Sequence, residues 1–117
     1  MAARQWRFEH TAQGDIEMII VVGQARFASG EIERLRGALN EWIEQVRKRP
    51  GCLSYCYAVD LGDPDLLHVI ETWADEAAID AHMEDLGGLM NVLAGTQMLS
   101  LSVKSYSGAY LKTIMGE

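Results

Sequence analysis

The chain has 117 residues, with 10 Lys and Arg against 17 Asp and Glu and a formal charge of −7. It offers no basic face to track a phosphate backbone, so nucleic acid is a poor partner. Hydrophobic residues make up 49% and charged residues 23%, the balance of one globular domain. No apolar run reaches the roughly 18 residues of a membrane span. The opening residues lack the apolar core of a signal peptide, so the expected location is cytoplasmic.

Residues 1–14 read as an N-terminal extension. Trp6, Phe8 and His10 alternate there with Arg7 and Glu9, the pattern of a short edge strand or an arm around a partner; a loose chain end is the alternative. The domain proper is expected over residues 15–110, with 111–117 as a tail. From Asp15 to Phe27, a β-branched run followed by alternation of Gln24 and Arg26 with Ala25 and Phe27 predicts strand one. Ser29 is placed to cap the following helix. There Ile32, Leu35, Leu39, Trp42, Ile43 and Val46 line one face. Arg47-Lys48-Arg49 suits a solvated helix end, and Pro50-Gly51 stops the helix.

Strand two is expected over Cys52–Val59, with Leu53, Tyr55, Tyr57 and Val59 on one face. A turn over Asp60–Asp65 leads to strand three, Leu66–Trp73, as an antiparallel hairpin. Asp75 can cap a second helix in which Ala78, Ile79, His82 and Met83 recur at helical spacing, pointing His82 at the sheet. Gly87-Gly88 is expected to break this helix before it resumes over Leu89–Ala94, and Met98–Tyr110 reads as the last strand. The order βαββαβ predicts a ferredoxin-like α+β fold: a four-stranded antiparallel sheet with two helices on one face. Strand three is apolar on both faces, with Leu67, Val69 and Trp73 on one and Leu66 and Ile70 on the other. Two helices cover a single face, so a second copy of the sheet is expected on the other, making a homodimer.

Cys52 and Cys56 sit four apart in a strand, about 13 Å at ~3.3 Å per residue. That exceeds the ~7 Å limit for a disulfide, and no Cys/His cluster completes a metal site. Two small, buried, reduced cysteines are expected, and no metal.

The segment Pro50-Gly51-Cys52-Leu53-x-Tyr55, then Asp60 and Asp63-Pro64, then Glu71-x-Trp73-x-Asp75-x-x-Ala78-Ile79-x-Ala81-His82 resembles the antibiotic biosynthesis monooxygenase family over roughly Met18 to Tyr106. The resemblance implies a ferredoxin-like fold pairing as a dimeric α/β barrel. It also implies quinol or anthrone oxidation with O2 and no metal or flavin, while related members degrade haem or process a small signalling molecule. Many relatives carry a polar residue about five positions after the helix histidine, where this chain has Gly87 and Gly88. The haem-degrading branch pairs a strand-one asparagine with a helix tryptophan and histidine. This chain has Gln24 on strand one and no tryptophan on that helix, which argues against haem.

Among candidate site residues, His82 leads as a base near neutral pH, or it is a core histidine bonded to a neighbouring strand or to Glu71. Trp73 could stack on a flat aromatic substrate or pack in the core. Tyr55, Tyr57, Gln24 and Arg26 could donate to a substrate oxygen, and Asn91 could face a cleft or water. His68 is expected on the strand-three face opposite Trp73. The six methionines read as soft core filler. Taking a proton from a phenol of pKa ~10 with a histidine of ~6.5 is uphill by ~5 kcal/mol. Each charged hydrogen bond returns ~1.5–3 kcal/mol, so two donors must share the cavity of His82. The expected function is cofactor-independent monooxygenation of a hydroquinone-like or polycyclic phenolic substrate. The alternatives are an isomerase or signal-degrading enzyme and a non-catalytic dimeric ligand-binding barrel.

Overall fold

In the computed structural model, which describes residues 17–117, the elements follow the predicted order. They are β1 (Met18–Phe27), α1 (Glu31–Val46), β2 (Cys52–Asp60), β3 (Asp63–Trp73), α2 (Glu76–Met83), α3 (Gly87–Leu93) and β4 (Met98–Gly108). The sheet order is β2-β3-β1-β4 with every neighbouring pair antiparallel. The expectation for residues 1–14, including Trp6, Phe8 and His10, lies outside the described residues.

Strand periodicity divides the sheet into two unlike faces. Ile19, Val21, Ala25 and Phe27 of β1 and Leu67, Val69, Glu71 and Trp73 of β3 are buried beneath the helices. Gln24, Arg26, Ile70 and Cys56 point the other way, where the described residues of this chain provide no cover. All six apolar positions of the α1 stripe are buried against the sheet. Asp75 caps α2, its carboxylate accepting the Ala78 N–H at 2.9 Å. No helix of the described residues is long and apolar enough to cross a membrane.

Five local expectations are corrected. Ser29 does not cap α1; the N-cap is Gly30, at φ 82°, and its N–H donates to Asp65. The turn after β2 shrinks to Leu61-Gly62, because Asp60 already pairs with Asp63. A register irregularity between Cys52 and Ser54 swings Leu53 out to 56% exposure and sets Cys52 partly against the core. Cys56 is exposed; both cysteines are free thiols.

The fifth correction concerns the second helical segment. It breaks at Glu84–Leu86, ahead of the glycines, so that three helices rather than two cover the sheet. Gly87 and Gly88 form the first turn of α3, and a Cβ at Gly88 would lie 2.9 Å from the Trp42 ring. The glycine is there for close approach between helices rather than to end one. Beyond Gly108 the chain leaves the sheet, with Tyr110, Leu111, Ile114 and Met115 exposed.

Candidate functional site

Between the sheet and α2–α3 lies a cavity of about 270 Å3. Leu67, Val69, Leu86, Leu89, Leu101 and Val103 typify its walls. Its polar lining groups are Tyr55, Tyr57, Glu71 and His82. The strand register gathers three of them, since Tyr55 stands opposite Glu71 and Tyr57 lies one pleat further along the same face of β2.

The two tyrosines form a polarised chain. Trp42 Nε1–H donates to the Tyr55 hydroxyl at 3.0 Å, and the two hydroxyls are 2.6 Å apart. Tyr55 is the more deeply buried of the two, and among the described residues its proton has no acceptor but Tyr57, so Tyr55 donates. The Tyr57 proton then remains available to a guest in the cavity. Burial pushes both phenols up, so both stay protonated.

His82 is buried, its ring 4.6 Å from that of Trp73 and edge-on to Tyr55 at 5.5 Å. Its partner is neither a strand nor Glu71. Arg49 Nη1 lies 2.8 Å from His82 Nδ1. A guanidinium only donates, so Nδ1 accepts and the proton sits on Nε2. Arg49 is held in turn by Asp85, at 3.3 Å, and by the Trp42 ring, 5.0 Å beneath its guanidinium. The basic run therefore does more than end a helix, for Arg47 also donates to the Tyr55 carbonyl at 3.0 Å. Burial, then the Arg49 charge, lower the His82 pKa to about 4. Near neutral pH the ring is an uncharged donor, and a histidine so poised is a weak base.

Glu71, named in the sequence only as a neighbour, is a further member of the site. It is 6% exposed, and its Oε1 accepts the Trp73 indole N–H at 2.9 Å. Burial pushes its carboxyl up, offset in part by that hydrogen bond. Alternation on β3 could have flagged it, because Glu71 shares a face with Leu67, Val69 and Trp73.

The other predicted residues fall elsewhere. Gln24 and Arg26 are on the opposite face, where Arg26 pairs with Asp63. Trp73 is fully buried and outside the cavity wall, so it orients Glu71 and His82 rather than stacking on a guest. Asn91 is exposed on α3. His68, on the open face as expected, bonds Asp60 at 2.8 Å. Met83, Met90 and Met98 line the cavity, the first two more than half exposed. Among the described residues no three His, Cys, Asp or Glu side chains group so as to hold a metal ion.

Fold and site together define a ferredoxin-like α+β protein with an apolar cavity under its second helical segment. The chain belongs to the antibiotic biosynthesis monooxygenase family, whose family model matches residues 18–85. A Deinococcus radiodurans structure provisionally named an antibiotic biosynthesis monooxygenase is 25% identical. It superposes with a TM-score of 0.74 over 84% of this chain and 99% of its own. A Shewanella oneidensis protein is 26% identical with a TM-score of 0.68, covering 78% and 90%. The uncharacterized Synechocystis protein sll1783 is 28% identical over 62% of this chain, and the match spans about half (49%) of that relative's length.

Proposed function

We propose that the protein is a cofactor-independent monooxygenase that oxidises a hydroquinone-like phenol with O2 and works as a homodimer. The observation that carries this reading is the apolar cavity with Tyr57, Glu71 and His82 as its polar contacts. A flat ring suits the apolar walls, and its phenolic oxygen suits the polar group. At about 270 Å3 the cavity falls just below the ~300–1,000 Å3 usual for ligand sites. That favours one- and two-ring hydroquinones over three-ring anthrones.

In the reaction one oxygen atom of O2 enters the ring and the other leaves as water. The substrate supplies the electrons, and no other cofactor is required. The charge that develops on the phenolic oxygen meets two donors, Tyr57 O–H and His82 Nε2–H. With its pKa lowered to about 4, His82 would remove a phenol proton uphill by about 8 kcal/mol. We therefore assign it the role of donor, with Arg49 holding the tautomer.

A second copy is the proposed cover for the open sheet face, where Val22, Ile70 and Tyr106 are each about half exposed. Light scattering should give a dimer for the protein and a monomer for Ile70→Lys; a monomeric parent would sink the dimer.

The deciding experiment is oxygen uptake by the metal-free protein across a panel of hydroquinones and anthrones, with Tyr57→Phe and His82→Ala alongside. Uptake above the autoxidation blank that falls in both variants supports the reading. Turnover that needs no O2 would move the site to isomerase or signal-degrading chemistry, and binding without turnover to a ligand-binding barrel.

A further inference from the structure

Glu71 borders two spaces at once. One is the apolar cavity; the other is a cleft of about 500 Å3 between α2 and the β1–β4 pair. Met83 and Val103 border both as well, so the two spaces adjoin along these three residues. The cleft carries Glu76 and Asp80 of α2, with Ser105 and Ser107 of β4. A buried carboxyl with a substrate cavity on one side and a polar cleft on the other has the layout of a proton conduit.

We infer that Glu71 is the catalytic base of this site, taking the phenolic proton of a substrate in the apolar cavity and passing it out through the α2–β4 cleft. The inference rests on the oxidation reading given above and assigns the step which that reading leaves open. Of the two carboxylate oxygens, Oε1 is fixed by Trp73, which leaves Oε2 to accept.

Among the described residues no cation pairs with Glu71. Bordering the same two spaces are Tyr55 and Tyr57 from β2, His82, Glu76 and Asp80 from α2, and apolar Ile19 and Val21 from β1, and the Cys52 thiol of β2 is close enough to feel the Glu71 charge. Lys104 borders the cleft, but its register opposite Val22 turns its side chain to the open face. Burial holds the carboxyl above the ordinary carboxylate range, offset in part by the Trp73 hydrogen bond. That makes it a stronger base than a solvated glutamate.

The step balances. The substrate O–H bond breaks, its electron pair stays on oxygen, and a carboxyl O–H bond forms. The phenolate passes one electron to O2, and the resulting radical pair combines to form a C–O bond to a ring carbon. The peroxide so formed takes up a proton. O–O cleavage with loss of the ring C–H proton then gives the carbonyl and water.

Glu71→Gln keeps the volume and an acceptor for Trp73 but has no basic oxygen. It should lower kcat at least about 100-fold, the usual contribution of a general base, with binding little changed. Residual activity should lose the acid limb that the parent shows above the ordinary carboxylate range. Glu71→Asp, which withdraws the carboxylate by one carbon, should keep the limb at a reduced rate.

A second readout needs no turnover. The carboxylate disfavours a phenolate beside it, so the apparent pKa of bound 4-nitrophenol should fall by about one unit or more in Glu71→Gln. Turnover that survives Glu71→Gln with its acid limb intact overturns the assignment. So does an unchanged probe pKa, or failure of both proteins to bind the probe. Loss of O2 uptake across the whole panel with the probe shift present sinks the oxidation reading alone and supports Glu71 as the group facing the phenol.

Discussion

The two helical layers of this fold occupy equivalent places, each connecting strands over the same sheet face, yet they are built differently. α1 runs unbroken for 16 residues and buries six apolar side chains. α2 and α3 share a similar length of chain, broken in the middle, and among them only His82 is buried. Ile79, Leu86, Leu89 and Leu93 are half-buried around the cavity region. The difference teaches a division of labour: one layer closes the core, and the other roofs a space that the core does not fill.

The sharpest test sets one leucine from each layer against the other. Leu35→Ala should cost about 2–5 kcal/mol on urea unfolding, since it opens a hole in a closed core. Leu89→Ala should cost about 1 kcal/mol, having about half the burial to lose beside a space already present. Equal costs would erase the distinction. Next in size is Tyr57→Phe, which removes one donor from the cavity. Loss of a hydrogen bond to a charged oxygen, about 1.5–3 kcal/mol, predicts a fall of about 10–150-fold in kcat/KM for the oxidised phenol, and the buried Tyr55 hydroxyl, left without its acceptor, should cost about 1–3 kcal/mol of stability. A substitution on the outer face of α1, such as Arg36→Ala, should leave both untouched.

A third test uses pH. Below about 6.5 the unfolded chain protonates His82 while the fold, in which its pKa is lowered to about 4, resists. Stability should therefore fall as pH drops from about 6.5 towards 4 and owe nothing to this group above 6.5. Glu71, raised by burial, acts in the opposite sense and costs stability as pH rises through its folded value. Urea unfolding at pH 7.5 and 5 should show that His82→Gln flattens the acid-side loss; an unaltered slope would mean that His82 is solvated.

The smallest effects come from adjacent glycines. A Cβ at Gly87 meets nothing within 4 Å, so Gly87→Ala should stabilise by up to about 1 kcal/mol on helix propensity. Gly88→Ala must push Trp42 aside and should destabilise, reversing the sign one residue later.

What was legible in the sequence is what repeats. The α1 stripe, the alternation of β1 and β3, the Asp75 cap and the inward aim of His82 all follow from local periodicity. What escaped depends on partners distant in sequence. The break before Gly87 reflects the approach of α3 to Trp42, and Leu53 turned outward because the β2–β3 register slips beside it. Arg49 looked like one more cation at a helix end, and only the docking of α2 brings His82 to it. Glu71 carried the family string but no mark of function until the register put it between a tyrosine and a cavity. Gln24 and Arg26 showed the opposite failing, since polar residues alternating on a strand look alike whichever face they take.

The strand order also carries a kinetic consequence. β2 and β3 close on a two-residue turn, whereas the β1–β4 pair must close roughly 70 residues between Phe27 and Met98. Loop-closure entropy separates the two events by about 3 kcal/mol, so the hairpin should form early and β4 should dock late. Leu101 and Val103, which complete the cavity wall, ride on that last strand. The cavity is thus finished at the end of folding, and a guest that filled it would slow the first step of unfolding, the peeling of β4.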